Sequence, residues 1–116
     1  MRILIADDDP VVQFLLGSML GALGHETTAA SSGAACLQTL RGGDIPDVIF
    51  LDMMLGDMSG SEVMKTIRQE LPAPPKIVMV SANPSAETRD LPEQPDFYLE
   101  KPFTSAGVAE ALEALG

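Results

Sequence analysis

Asp7, Asp8 and Asp9 stand side by side directly after the apolar run Ile3-Leu4-Ile5 and Ala6. Three adjacent carboxylates repel one another, and burying any of them unpaired is costly. Other apolar runs end in a related way. Residues 48–51 lead straight into Asp52, residues 77–80 into Ser81, and residues 97–99 reach Lys101 after Glu100. If these runs are neighbouring strands, their exits bring carboxylates, a hydroxyl and an ammonium to one rim. Oxygen ligands of this kind suit a hard divalent ion. Mg²⁺ fits best, because it takes few carboxylates, keeps several waters and accepts a phosphate in its shell. Together with Lys101 it would make a cationic pocket for a phosphoryl group in transfer. Asp52 would then be a carboxylate nucleophile that forms an aspartyl phosphate. The competing explanation is a polar turn capping the first helix through its dipole, a role that suits Asp9. For Asp7 and Asp8 it leaves the agreement with Asp52, Ser81 and Lys101 as coincidence.

The elements that must position these residues alternate along the chain. Strands are expected at 3–5, 26–29, 48–51, 77–80 and 97–99, the second being more polar, as an edge strand is. From Pro10, Val12, Leu15, Leu16, Met19 and Leu23 recur at helical spacing, with Gly24 just past the end. Ser32 can cap a second helix carrying Leu37 and Leu40, stopped at Gly42-Gly43. Ser59-Gly60-Ser61-Glu62 has capping-box spacing ahead of Val63, Met64, Ile67 and Leu71. Thr104 or Ser105 can cap a last helix with Val108, Leu112 and Leu115 on one face. Between strands four and five, Pro84, Pro92 and Pro95 bracket residues 85–91, so the fourth helix is expected to be short or irregular. A (βα)₅ alternation with near-continuous apolar strands implies a parallel sheet with helices on both faces. In such a sheet ligands bind beyond the carboxyl ends of the strands, where the strand order reverses.

Composition bounds the reading. The chain has 116 residues, 46% of them apolar, which suits one packed domain over residues 1–116. Seventeen acidic against seven basic residues give a formal charge of −10, which argues against nucleic-acid backbones and anionic membranes as partners. No run approaches the ~18 apolar residues of a membrane span, and the N-terminus lacks the order of a secretory signal. The single cysteine, Cys36, precludes an intrachain disulfide and reads as a small buried apolar residue. His25, also alone, has no second soft ligand and reads as a turn residue. A cytoplasmic location is expected.

The pieces ILIADDDP, PDVIFLDMMLGDMSG, KIVMVSAN and FYLEKPF occur in this order, and together they resemble the receiver domain of bacterial two-component response regulators. The resemblance covers essentially the whole chain. It implies a flavodoxin-like fold with strand order 2-1-3-4-5. It implies Asp52 as phosphoacceptor, charged from a phosphohistidine on a sensor histidine kinase or phosphotransfer protein. Mg²⁺ would be held by Asp7, Asp8, Asp52 and the backbone carbonyl of Met54. Ser81 and Lys101 would bind the phosphoryl oxygens, and Ser81 and Tyr98 would rearrange as the switch. The peptide bond before Pro102 is often cis in this family. Such a domain is a signalling switch and not a turnover enzyme: it catalyses only its own phosphorylation and dephosphorylation, and an unknown downstream protein reads the result.

Two departures from the family pattern stand out. Gly56 occupies the position, four after the phosphoacceptor, where many members have proline, so the loop after strand three is expected to be more flexible. The brevity of residues 85–91 suggests that dimerisation through the usual face beside the fourth helix is altered. A rival resemblance also exists. Asp7-Asp8-Asp9-Pro10-Val11 matches the opening motif of haloacid-dehalogenase-type phosphatases, with Asp7 as nucleophile and Asp9 as general acid. That reading leaves Asp52 idle and lacks the pair of acids expected after the lysine. Nothing in the sequence supplies an output segment, which fits either a stand-alone regulator or a domain of a longer protein.

Overall fold

The computed structural model describes residues 1–83 and 93–116. Its strands are β1 (Arg2–Ala6), β2 (Glu26–Ala30), β3 (Val48–Asp52), β4 (Lys76–Ser81) and β5 (Phe97–Glu100). The helices among the described residues are α1 (Pro10–Ala22), α2 (Gly33–Arg41), α3 (Gly60–Glu70) and α4 (Ser105–Ala114). The strands form one parallel sheet of order β2-β1-β3-β4-β5. The short helix expected at 85–91, and with it the altered dimer face, lies outside the described residues.

Side chains alternate across the sheet with a period of two and build a core on each face. Leu4, Ile49, Leu51, Ile77 and Met79 face α2 and α3, packing with Cys36, Leu40, Val63, Met64 and Ile67. Ile3, Ile5, Phe50, Val78 and Val80 face α1 and α4, packing with Leu16, Leu20, Val108 and Ala111. Each of β1, β3 and β4 is thus buried on both sides, which is why these strands read as unbroken apolar runs.

Helix starts follow the sequence closely. The side chains of Asp9, Ser32, Ser59 and Thr104 each accept a backbone N–H from the first turn of α1, α2, α3 and α4 respectively. Gly24, just past the end of α1, takes the left-handed φ of 90° that glycine tolerates best. The apolar stripe of α1 departs from the expected one. Leu16 and Leu20 are the buried positions, whereas Leu15 and Leu23 are exposed. The helix is apolar nearly all round, so several stripes fit its sequence equally well.

Register sets the functional rim. Ala6 pairs with Leu51, so Asp7 and Asp52 leave their strands at the same level. Asp52 is level with Val80, and Ser81 with Glu100. The order reverses between β1 and β3, and the crevice at their carboxyl ends is the expected ligand position in such a sheet.

Candidate functional site

Asp7, Asp52 and Lys101 continue the two-residue phase of the α1-facing side chains. Asp7 follows Ile3 and Ile5, Asp52 follows Val48 and Phe50, and Lys101 follows Phe97 and Leu99. The phase brings them together. Lys101 Nζ stands 3.3 Å from Asp52 Oδ2 and 3.7 Å from Asp7 Oδ2. Asp8, exposed beside them, completes a set of carboxylates, each offering an oxygen within 4.8 Å of the others. Asp7 and Asp52 are buried, Asp7 to 2% exposure.

Burying a carboxylate in such company raises its pKa. Loss of water, reinforced by the charge of Asp52, pushes Asp7 up to about 6, against the pull of the Asp9 amide and Lys101. Asp7 Oδ1 accepts the Asp9 N–H at 2.8 Å, and Asp52 Oδ1 accepts the Met54 N–H at 3.3 Å. These bonds aim the carboxylates without neutralising them. The set therefore suits a hard cation: oxygen donors, a cluster with surplus negative charge, and one exposed side for retained water. Asp9 caps α1, its Oδ1 accepting the Val11 N–H at 2.9 Å.

The remaining expected residues take distinct places. Ser81 ends β4 on the same rim and is buried. Its hydroxyl accepts the Asn83 N–H at 3.2 Å and its carbonyl accepts the Lys101 N–H at 2.8 Å. By phase Ser81 follows Ile77 and Met79, on the α3 side of the sheet. Tyr98 packs against the core under α2 and α3, with its hydroxyl donating to Gln94. The Lys101–Pro102 peptide bond is cis.

Met54 sits in a tight loop between β3 and α3. Its side chain is exposed, and its backbone pairs with Ser59. Leu55, buried to 2% exposure, anchors the loop, and its N–H donates to the Met58 carbonyl at 3.2 Å. Gly56 turns the chain with φ 83° close to Asp8. Gly60 N–H donates to the Met53 carbonyl at 2.7 Å.

Two residues that the sequence reading passed over support this loop and its neighbour. Asp57 reaches across to α2, where Oδ1 accepts the Gly33 N–H at 2.9 Å and Oδ2 the Ala34 N–H at 3.0 Å. These donors hold its carboxyl below the usual range. Gln13 donates from Nε2 to the Asp7 carbonyl at 2.6 Å and to Ser31 Oγ at 3.2 Å. The sequence signals neither contact: Asp57 reaches the start of α2 from a loop distant along the chain, and Gln13, on α1, bridges the segments that follow β1 and β2.

A parallel sheet of this order with an acidic, lysine-bearing crevice at its switch point defines a flavodoxin-like domain with a candidate ligand site at that crevice. Comparison with known proteins narrows the class. Residues 3–113 match the response regulator receiver domain family model. The probable transcriptional regulatory protein TcrX of Mycobacterium tuberculosis is 35% identical over 117 residues, covering 99% of this chain and 49% of TcrX. The transcriptional regulatory protein KdpE of M. tuberculosis is 34% identical over 113 residues, covering 97% of this chain and 48% of KdpE. Among solved structures, a CheY-like receiver domain from Methylobacillus flagellatus superposes with a TM-score of 0.86 at 29% identity, covering 100% of this chain and 98% of that one. The chain belongs to the response regulator receiver domain family. It is a phosphoacceptor module of two-component signalling, and the phosphatase alternative finds no support in the matches. The chain spans about half the length of the curated relatives it matches.

Proposed function

We propose that Asp52 is the phosphoacceptor, and that Asp7, Asp8, Asp52 and the Met54 carbonyl hold Mg²⁺. The observation that carries this reading is Lys101 Nζ placed between Asp52 and Asp7 at 3.3 and 3.7 Å. When bound, Mg²⁺ supplies charge neutralisation for the phosphoryl oxygens. The chain's residues do the rest. An Asp52 oxygen attacks phosphorus, and the P–N bond of a phosphohistidine breaks. The electron pair stays on the imidazole nitrogen, which takes a proton from water. The Lys101 ammonium leaves the carboxylates for a phosphoryl oxygen, and the Ser81 hydroxyl donates to another. These contacts exist only in the modified state, so they shift the population toward an altered β4–β5 surface, with Tyr98 turning inward. Apart from this self-modification the domain turns over no substrate.

The donor is a sensor histidine kinase or a phosphotransfer protein, and it must reach the rim beside α1. Exposed Val11, Phe14 and Leu15 offer it apolar surface there. A groove of about 370 Å³, lined by Val12, Leu15, Met19, Lys101, Pro102 and Phe103, continues that surface to the site. Residues 1–116 act as one receiver domain in the cytoplasm. Among the described residues no helix is long and apolar enough to cross a membrane. With a formal charge of −10 this domain itself avoids nucleic acid. The relatives' names as transcriptional regulators point the downstream output of a full-length protein toward transcription. The test is intact mass after exposure to phosphoramidate, with Mg²⁺ or with chelator. Wild type gains one phosphoryl group in Mg²⁺ alone, and Asp52→Asn gains none. A gain by Asp52→Asn equal to wild type overturns the assignment.

A further inference from the structure

The β3–α3 loop carries Met54, yet it turns at Gly56, whose φ of 83° is open to glycine and closed to proline, so no ring stiffens the chain there. A free glycine turn costs conformational entropy each time it is ordered. The loop is nevertheless tied at its far side. Both carboxylate oxygens of Asp57 accept amides from the first turn of α2, Gly33 at 2.9 Å and Ala34 at 3.0 Å. The adjoining Met58 side chain lies against Gly33 so closely that a Cβ there would collide with it. Asp57 thus closes one side of the turn, and the pairing of Met54 with Ser59 closes the other. Between them lie Leu55, held in the core, and Gly56, whose position for a side chain falls 3.5 Å from Asp8 Oδ2.

We propose that Asp57 is a positioning residue for the cation site: its clamp on α2 holds the Met54 carbonyl and the backbone beneath Asp8 in place, supplying the rigidity that Gly56 lacks. This rests on the cation site proposed above. The Asp57 carboxylate touches neither cation nor phosphate; it acts through the loop. Linkage makes the effect reciprocal: if the clamp favours Mg²⁺, then Mg²⁺ tightens the clamp. The first turn of α2, on the far side of the loop from Asp52, thereby senses occupancy of the site.

The test measures Mg²⁺ affinity calorimetrically on the full chain. It is run at about 0.5 M salt, where a charge more than roughly 4 Å away is screened. Supporting contacts behind a metal site are worth tenfold or more in affinity, so Asp57→Ala is expected to bind Mg²⁺ about tenfold more weakly. Asp57→Asn, which keeps one acceptor oxygen, falls between it and wild type. Ser32→Ala removes the other cap of the same helix turn, at the Ala35 N–H. It is expected to lower stability while leaving Mg²⁺ affinity within about twofold, which a merely structural role for Asp57 would not distinguish. In wild type, Mg²⁺ slows hydrogen exchange of the Gly33 and Ala34 amides. Unchanged affinity in Asp57→Asn and Asp57→Ala, or an equal loss in Ser32→Ala, overturns the inference while leaving the cation site standing. A wild type that binds no Mg²⁺ overturns both.

Discussion

Lys101 Nζ lies 3.3 Å from Asp52 Oδ2, and the same ammonium is 3.7 Å from Asp7. In this state the lysine serves as a counter-ion for carboxylates that would otherwise be underpaired. The arrangement gives Lys101 two opposed effects. It competes with Mg²⁺ for the acids, and it stabilises a phosphoryl group once one arrives. Lys101→Ala is therefore expected to bind Mg²⁺ more tightly than wild type and to phosphorylate at least about 100-fold more slowly at saturating Mg²⁺. Calorimetry and intact-mass kinetics read the two effects separately. Weaker Mg²⁺ binding with an unchanged rate would contradict this role.

Asp7 makes stability depend on pH. Its folded-state pKa of about 6 lies above the ordinary 3.8, so the native state holds this proton more firmly than the unfolded chain does. The resulting stabilisation is complete below about pH 4 and is lost as pH rises through 6. Asp7→Asn lacks this term, while its amide oxygen can still accept the Asp9 N–H. In chelator, the urea midpoint of wild type is expected to fall relative to Asp7→Asn between pH 4 and 6.5, leaving the variant more stable at pH 7. Added Mg²⁺ restores wild type and not the variant. Parallel pH curves in chelator would contradict the electrostatic assignment.

Much of this site was legible in the sequence, because a sheet transmits spacing faithfully. The phase 3, 5, 7 in β1, 48, 50, 52 in β3 and 97, 99, 101 in β5 fixes which face each polar residue joins. Parallel pairing then levels Asp7 with Asp52. Caps were equally readable, since Asp9, Ser32, Ser59 and Thr104 act within their own helix turns. The stripe of α1 was not, because Leu20 and Leu23 are both apolar and only packing decides between them. The reach of Asp57 to Gly33 was hidden too, for it depends on how a loop folds over a helix end. No local pattern encodes that.

Two glycines at helix starts should differ sharply. A Cβ on Gly60 would run into the Asp52 carbonyl oxygen and lie 2.9 Å from Met53 Cα, both backbone atoms at the site. Gly60→Ala is expected to destabilise by about 2–3 kcal/mol and to weaken phosphorylation. At Gly33 the Cβ would meet Cγ and Sδ of the flexible Met58 side chain, with Val63 Cγ2 at 3.0 Å, and no backbone atom nearer. Gly33→Ala is expected to cost about 1 kcal/mol or less, because Met58 can change rotamer and alanine favours helix. Denaturant midpoints compare the pair, and equal losses would contradict the packing described.

Cys36 is fully buried, and loss of water pushes its thiol up to about 11. The folded protein is expected to resist iodoacetamide at pH 8 and to react fully in denaturant. Mass spectrometry reads this directly. Fast alkylation under native conditions would mean that the α2 face of the core opens readily.

The central claim is that Asp52, and no other group on the rim, accepts the phosphate. The most direct measurement exposes the protein to phosphoramidate with Mg²⁺, traps the acyl phosphate with borohydride and maps the reduced residue by peptide mass spectrometry. The expected result is reduction at position 52 alone, absent in chelator. Reduction at position 7 or 8 with 52 intact, or a stable phosphate ester on Ser81, would contradict it.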